Sequence, residues 1–288
     1  KIRPILSRSH DPQWHRTSDS QPQNTHPETL RRKHVLLEKP ITITYEEAEN
    51  ITAACKKHNV QFMDGVMFMH HVRSHEIKKL LADKDTMGDI TRVCSSFTFC
   101  GDEDFHKNDI RVKKDLDGLG CIGDLGWYNV RATLWVLDED PMQVHCIPHK
   151  RSAEGVIISA SITMLFPSGK FATFDCGFDT NVRQTLEVAG TKASLRLNDF
   201  VLCKSETDSE ILIDTTAFYP PPTCPEHKVT KLDGGGCCQE ANMVEKMCQI
   251  VASGQLEVYW PSISKRTQKV LSRTARQPSI PQPFRCAR

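Results

Sequence analysis

No stretch of the 288-residue chain approaches the roughly 18 uninterrupted apolar residues that a membrane-spanning helix requires, so no membrane partner is expected. No apolar run follows a basic start, so no secretory leader is expected either. Residues 1–33 hold no glycine and show neither a period of 2 nor one of 3.6. Nowhere do two of the twelve cysteines form a C-x-x-C pair. Most lie inside apolar runs, as in CSSFTFC and FDCGF. That pattern reads as buried, reduced thiols in a reducing compartment, and the expected location is the cytoplasm. The one metal-like cluster is Cys224, His227, Cys237 and Cys238, whose adjacent cysteines and irregular spacing argue against zinc. No metal is expected. With 15 glycines and 16 prolines the chain is neither collagen-like nor a linker, and 39% hydrophobic residues suffice for a buried core.

The net charge of +1 hides an asymmetry. Residues 1–33 carry seven Lys/Arg against three Asp/Glu, and residues 265–288 carry seven basic residues and no acidic one. The body between them is acidic. The ends read as solvated tails, with a weak polyanion contact as the sharper alternative. No nucleic-acid partner is expected.

Order begins at Lys33. HVLLEKP reads as a buried strand ending where Pro40 forces a turn. Thr44-Tyr45-Glu46-Glu47 is a capping box. It opens a helix with apolar positions Ala48, Ile51, Ala54 and Cys55 that closes near His58 and Asn59. Val60–Met63 is a second strand. Strand, helix, strand predicts a parallel βαβ unit with a right-handed crossover. A second amphipathic helix carries Ile77, Leu80 and Leu81 and ends near Met87 and Gly88. Segments 90–99, 156–166, 170–178, 184–189 and 194–203 alternate and are rich in Val, Ile, Thr and Phe, which predicts an antiparallel sheet. A helix at 124–137 interrupts it, and helices at 239–252 and 262–274 close the chain. A short parallel α/β piece thus precedes a larger α+β domain.

Gly118-Leu119-Gly120-Cys121-Ile122-Gly123 matches G-x-G-x-x-G, and a helix follows. A dinucleotide fingerprint also needs a strand immediately before the loop and an acidic residue ending a second strand about 20 residues on. Here Lys113–Asp117 precede the loop, and Leu137-Asp138 falls in the helix. The loop is therefore read as the approach to a helix that carries chemistry, not as a pyrophosphate cradle.

One tripeptide and one pair of residues stand out, each with a plainer reading of its own. Glu38, Lys39 and Pro40 follow a parallel strand at its carboxyl end, where open α/β sheets bind ligands. Taken alone the tripeptide reads as a strand-to-loop turn. Asp124 and Tyr128 stand at i and i+4, on one helix face. Taken singly, Asp124 reads as a cap suited to the helix dipole and Tyr128 as a core aromatic.

The combination is more specific. EKP at 38–40 on a βαβ unit, followed by GLGCIGDLGWY at 118–128, resembles the Gfo/Idh/MocA family of NAD(P)-dependent oxidoreductases. That family joins a Rossmann domain to an α+β domain built on a large open sheet. Its second motif runs Gly-Gly-(x)-Leu-x-Asp-x-Gly-x-His or Tyr. Gly120, Asp124, Gly126 and Tyr128 match it, in the tyrosine form of dihydrodiol dehydrogenases and glucose-fructose oxidoreductase. The runs GDEDFHKNDIRVKKDLDGLG and YWPSISKRTQ look most like plant members, and the resemblance spans residues 33–272.

The resemblance implies NADP or NAD as cofactor, a small carbohydrate, polyol or diol as substrate, and a homodimer paired through the open sheet. It implies cofactor contacts from Glu38, Lys39 and Pro40. By the same resemblance Lys39 is the catalytic lysine that also reaches the nicotinamide ribose. Tyr128 is the proton donor or acceptor for the substrate hydroxyl, and Asp124 orients the substrate and the lysine. The chemistry agrees, because oxidising an alcohol needs a base for the hydroxyl proton. A free tyrosine titrates near pH ~10, and a lysine cation close by lowers that. Arg73 and Asn129 lie near these motifs and are weaker candidates for substrate contact; each also reads as structural.

One departure stands out. In the family, EKP lies late in the Rossmann domain, after the strand, glycine loop and helix that hold the pyrophosphate. The expected fold is α+β with an α/β remnant: an incomplete Rossmann βαβ unit followed by a large, mostly antiparallel open sheet flanked by helices. Residues 1–32 are expected to be disordered or foreign to the fold, and 33–70 to be the remnant of the dinucleotide-binding domain. Residues 71–275 are expected to form the substrate and dimerisation domain, and 276–288 a basic, Pro-rich tail. The function expected is hydride transfer between a nicotinamide and a CH–OH group, impaired in a truncated chain. An inactive family member serving as a binding or dimerisation module is the alternative, and an unrelated interaction protein with basic tails is a third reading.

Overall fold

The computed structural model describes residues 33–203, 208–216, 227–233 and 238–275. The expectations for residues 1–32 and 276–288, and for Cys224 and Cys237, lie outside the described residues. Val35–Leu37 (β1) and Phe62–Asp64 (β2) pair in parallel, with Val35 opposite Phe62 and Leu37 opposite Asp64. Between them runs Tyr45–Lys57 (α1). The Thr44 hydroxyl accepts the Glu47 N–H at 3.3 Å, and the Glu47 carboxylate accepts the Thr44 N–H at 2.9 Å. This reciprocal cap satisfies donors that a first helical turn leaves unpaired. Ala48, Thr52 and Cys55 form its buried face.

Arg73–Ala82 (α2) stops short of the expected Met87–Gly88 end. The Asp83 carboxylate collects the N–H groups of Asp85 and Thr86 and the Thr86 hydroxyl, at 3.0, 3.3 and 2.6 Å. Those bonds close a turn in place of further helix.

The strands of the large sheet are Ile90–Cys100 (β3), Gln143–Arg151 (β4), Ile157–Leu165 (β5), Phe171–Gly177 (β6), Asp179–Gly190 (β7), Ser194–Leu197 (β8), Asp208–Asp214 (β9) and His227–Asp233 (β10). Their order is β10-β9-β8-β7-β3-β6-β5-β4. All pairings are antiparallel except β3 with β6, where Cys94 lies opposite Thr173. This is the mostly antiparallel open sheet expected from sequence: after β3 the chain leaves the sheet through helices and returns by β4 and β5, so β6 runs in the direction of β3. Strands β4, β9 and β10 extend the sheet beyond those read from sequence. β4 is an edge strand that buries only Val144 and Cys146 and carries Pro148 at a register shift, a weak strand signal. β8 ends at Leu197, not at 203; the chain then turns, and the Phe200 N–H reaches the Gln184 carbonyl at 2.9 Å.

The remaining helices are Glu103–Asn108 (α3), Trp127–Leu137 (α4), Gln239–Ser253 (α5) and Tyr259–Ala275 (α6). A π-helical turn, Ile122–Gly126, leads into α4. α4 is mostly apolar and buried almost throughout, its Asn129, Arg131 and Thr133 included. α6 begins ahead of the expected Ser262. Pro261 sits in its first turn, where a missing N–H has no helical acceptor to lose.

α6 folds back onto the βαβ unit. Gln61 and Glu257 exchange side-chain and backbone hydrogen bonds of 3.0 and 2.8 Å, and Gln268 donates to the Ile43 carbonyl at 3.2 Å. One apolar core accordingly runs from Phe62 and Ile77 through Leu134 to Ile162, Phe174 and Leu271, without a break at residues 70–71. A smaller cluster gathers Met63, Met243, Met247, Ile250 and Trp260. Among the described residues no helix is long and apolar enough to cross a membrane.

Candidate active site

Lys39 leaves the sheet just after β1, and the π turn delivers Asp124 to meet it. Gly120 makes the approach possible. Its φ is +57°, and a Cβ there would lie 2.4 Å from the Ile157 carbonyl oxygen. A π turn places side chains out of ordinary helical register and often marks a functional site. The Lys39 ammonium donates to Asp124 Oδ1 and, at 2.6 Å, to the Asp124 backbone carbonyl. Its Nζ also lies 4.9 Å from the centre of the Tyr128 ring. The Lys39 and Asp124 side chains are 4% and 10% exposed. The three sequence-predicted catalytic residues are therefore brought together, across 85 residues of chain in the case of Lys39 and Asp124.

The other oxygen of Asp124 is held by a residue not singled out from sequence. Arg111 Nε lies 3.0 Å from Asp124 Oδ2. The Arg111 guanidinium also reaches both oxygens of Asp109, at 3.1 and 3.3 Å. Asp109 in turn caps the short 3-10 turn Ile110–Val112 by accepting the Arg111 N–H at 2.9 Å. Burial by itself would push the Asp124 carboxyl up; the two cations hydrogen-bonded to it outweigh that and hold it below the ordinary carboxylate range. Asp117 behaves in the opposite way. Burial, reinforced by the charge of Asp124, pushes its pKa up to about 6, although the Leu119 N–H bonds it at 3.3 Å. Arg111 and Asp117 lie in a mixed-charge run without periodicity; the one local signal was Asp109 standing two residues ahead of Arg111, a turn-capping spacing.

Tyr128 is 6% exposed; its ring packs edge-on against Phe97 at 5.6 Å, and its hydroxyl donates to Met67 Sδ at 3.4 Å. Met67 follows β2 as Lys39 follows β1, so both parallel strands feed this edge. Glu38 faces Gly65 across it: a Cβ on Gly65 would lie 3.2 Å from the Glu38 carboxyl, and the Lys39–Pro40 peptide is cis. The weaker candidates are engaged elsewhere. Arg73, 2% exposed, bonds the carboxylate and the carbonyl of Asp199 at 2.7 and 2.6 Å. Asn129 is fully buried and donates to Ser95 Oγ at 2.9 Å. Both contacts serve packing. The G-x-G-x-x-G at 118–123 has no strand before it and leads into the π turn, as the sequence reading holds.

Comparison with known proteins bears on the family and the fold. A family model described as oxidoreductase family, NAD-binding Rossmann fold, matches residues 21–66, starting ahead of Lys33 where periodic order becomes visible. A model described as GFO/IDH/MocA C-terminal domain matches residues 75–196. The dTDP-3,4-didehydro-2,6-dideoxy-alpha-D-glucose 3-reductase of Streptomyces antibioticus is 29% identical over 59% of this chain and 50% of its own length. The trans-1,2-dihydrobenzene-1,2-diol dehydrogenase of Sus scrofa is 23% identical over 74% of this chain and 61% of its own. The chain thus spans about half to two thirds of the length of such relatives. In fold it is similar to a 3-ketoreductase from Actinomadura kijaniata, crystallised with NADP and TDP-benzene, at a TM-score of 0.72 and 23% identity over 87% of this chain and 74% of that one. Two models of one family, in the family's own domain order, together match more than half of the sequence, and the chain belongs to the Gfo/Idh/MocA family of oxidoreductases.

Proposed function

We propose that this protein is an NAD(P)-dependent oxidoreductase that transfers a hydride between the nicotinamide and a CH–OH or carbonyl carbon of a sugar, polyol or diol. The observation that carries the reading is the meeting of Lys39, Asp124 and Tyr128 at the carboxyl edge of two parallel strands. The edge fits the nicotinamide end of such a cofactor: Glu38, Lys39 and Pro40 border it, and Gly65 leaves the space that a Cβ would fill. When bound, the nicotinamide supplies or accepts the hydride. The remaining steps belong to the protein. The Tyr128 hydroxyl gives or takes the proton of the substrate oxygen. The Lys39 ammonium attracts the negative charge that develops on that oxygen, and Asp124 holds the ammonium in place. Names of relatives, a ketosugar reductase and a diol dehydrogenase, support the substrate class. The runs at 101–120 and 259–268 support a plant-type member. The buried cysteines Cys55, Cys121 and Cys176 are free thiols, which supports a reducing, cytoplasmic setting. Pairing of two copies through the open face of the sheet, where Ile147 and Phe171 are exposed, completes the proposal.

One observation favours a second reading, a non-catalytic binding module: among the described residues no strand leads into a glycine loop that could hold a pyrophosphate. A single experiment separates the two. The purified chain is titrated with NADPH and NADH by fluorescence and then assayed for reduction of sugars and dicarbonyls. Saturable binding is expected, with slow turnover that Tyr128→Phe lowers by about 10²–10⁴-fold while binding persists. A folded chain that binds neither dinucleotide overturns the proposal in favour of the module.

A further inference from the structure

Asp124 is the only carboxylate described with a separate cation on each oxygen at this edge: Lys39 on Oδ1 and Arg111 on Oδ2. The second cation has a specific consequence. In a site closed to water, a lone lysine–carboxylate pair can relax by moving its proton, leaving a neutral amine and a neutral acid. A guanidinium cannot give up its proton in this way, and it bonds carboxylates in a fixed orientation. Placed on Oδ2 it stabilises the charged form of Asp124, and the charged Asp124 in turn keeps the Lys39 ammonium charged. The arrangement is also stiff. Arg111 is pinned from behind by both oxygens of Asp109, which caps the turn on which Arg111 sits. An ammonium has three N–H groups, and two of those on Lys39 are spent on the Oδ1 and backbone oxygen of Asp124. With the carboxylate fixed, the remaining one has a defined direction beside the Tyr128 ring.

We propose that Arg111 is a positioning residue, which keeps Asp124 ionised and aimed so that Lys39 is presented to the reacting oxygen as a charged, oriented ammonium. The inference rests on the oxidoreductase reading for its kinetic consequence but not for its electrostatic one. The charged and titratable groups around Asp124 are Lys39 from the loop after β1, Arg111 and Asp109 from the 3-10 turn, Asp117 from the loop before the π turn, and Tyr128 one turn on in α4. Lys39 touches Asp124 and also lies over the Tyr128 ring, whereas Arg111 holds the opposite carboxylate oxygen.

The test compares Arg111→Gln and Arg111→Lys with the parent. Aspartate carboxyl carbons are labelled with ¹³C, the Asp124 signal is assigned by its loss in Asp124→Asn, and each protein is titrated by NMR. Thermal melting confirms that each variant is folded. In the parent the Asp124 signal is expected to stay in its ionised position through pH 5. In Arg111→Gln its midpoint is expected to rise by about one unit or more, the shift that removal of a contacting cation brings. Arg111→Lys, which restores the charge, is expected to return most of it. If the parent turns over, kcat should fall about tenfold or more in Arg111→Gln with KM changed far less, and should partly recover in Arg111→Lys. A folded Arg111→Gln whose Asp124 titrates as in the parent overturns the proposal, as does an unchanged kcat. A parent that binds no dinucleotide and shows no turnover counts against the oxidoreductase reading alone, because the titration still decides the role of Arg111.

Discussion

Two buried ion pairs tie the βαβ unit to the segment that carries the glycine motif, and they are built differently. Asp64, the last residue of β2, meets Arg131 of α4 through bonds of 3.2 and 2.5 Å, and the Arg131 Nε donates to Thr267 of α6 at 2.9 Å. Both side chains are 0% exposed. Lys39 and Asp124 repeat that connection from β1 to the π turn. Here, however, the carboxylate has a second cation, and Arg111, 22% exposed, brings the cluster to the surface. One sealed carboxylate facing one guanidinium is a joint between three elements. One carboxylate facing two cations, beside a tyrosine hydroxyl and a second carboxylate, is a site with donors left for a ligand. Removing Arg131 from the first leaves Asp64 facing no cation, whereas Asp124 in the second keeps one cation when the other is removed.

The largest effect follows from that difference. Arg131→Met leaves Asp64 as an unpaired buried charge and should cost about 3–5 kcal/mol, read from urea unfolding. Replacing both, Asp64→Leu with Arg131→Met, should recover most of the loss, because a well-packed apolar pair avoids the desolvation of two ions. If the single variant unfolds like the parent, the contrast between joint and site disappears.

Lys39→Met probes the other cluster. Asp124 keeps Arg111, so unfolding should change by only about 1 kcal/mol, within the range of ordinary substitutions. Turnover should nevertheless fall about 10²–10³-fold, or about 2.7–4 kcal/mol of barrier. A Lys39→Met chain as unstable as Arg131→Met would make Lys39 a structural joint as well.

Acid and base should act on the two regions with opposite sign. His70 stacks on Trp260 at 4.6 Å near the joint, and burial lowers both His70 and His71 to about 4. These rings are neutral in the fold, so the unfolded chain binds more protons once pH falls below about 6.5. Stability from this region should therefore drop as pH falls from about 6.5 to about 4, by about 1–3 kcal/mol per ring. Asp117 is the reverse case. Its folded pKa, about 6, lies above the ordinary aspartate value, so the folded state binds the extra proton. Its contribution is greatest below pH ~4 and is lost as pH rises through about 6. Asp117→Asn should stabilise the chain at pH 7 by about 1–3 kcal/mol, whereas His70→Gln should flatten the acid limb alone. Identical pH profiles for the two variants would remove the distinction.

The same comparison shows what could be read from sequence. The β1–α1–β2 unit was legible because its signals are local: an apolar run, the Thr44–Glu47 box and helical spacing in α1. Lys39, Asp124 and Tyr128 were legible through a motif, since no periodicity connects residues 85 positions apart. Arg131 was invisible because a charge inside an otherwise apolar helix has no partner in its own sequence neighbourhood; Asp64 lies 67 residues away. Arg111 and Asp117 were hidden in a polar run whose value depends on where the π turn points. Arg73 attracted notice by proximity to the EKP region, yet its partner, Asp199, is 126 residues away and serves packing. Strand β4 was missed because an edge strand with Pro148 and one polar face carries little contrast.

Two of the glycines around Asp124, Gly120 and Gly126, give the smallest and most discriminating test. Gly120 stands at a φ of +57° with backbone oxygen in the way of any Cβ, so Gly120→Ala should cost at least about 1 kcal/mol and displace the π turn that follows. Gly126 has an ordinary helical φ of −59°, and a Cβ there would meet Cys176 Sγ and the Phe174 ring at 3.5 Å, which is van der Waals contact. Gly126→Ala should therefore leave stability within about 0.5–1 kcal/mol of the parent, the scale of helix propensity alone. If Gly126→Ala folds normally and still abolishes turnover, the missing side chain at 126 is needed to keep the π turn adjustable about Asp124, not for packing. If turnover persists, the constraint on this turn lies upstream, at the one glycine whose backbone no other residue can adopt without strain.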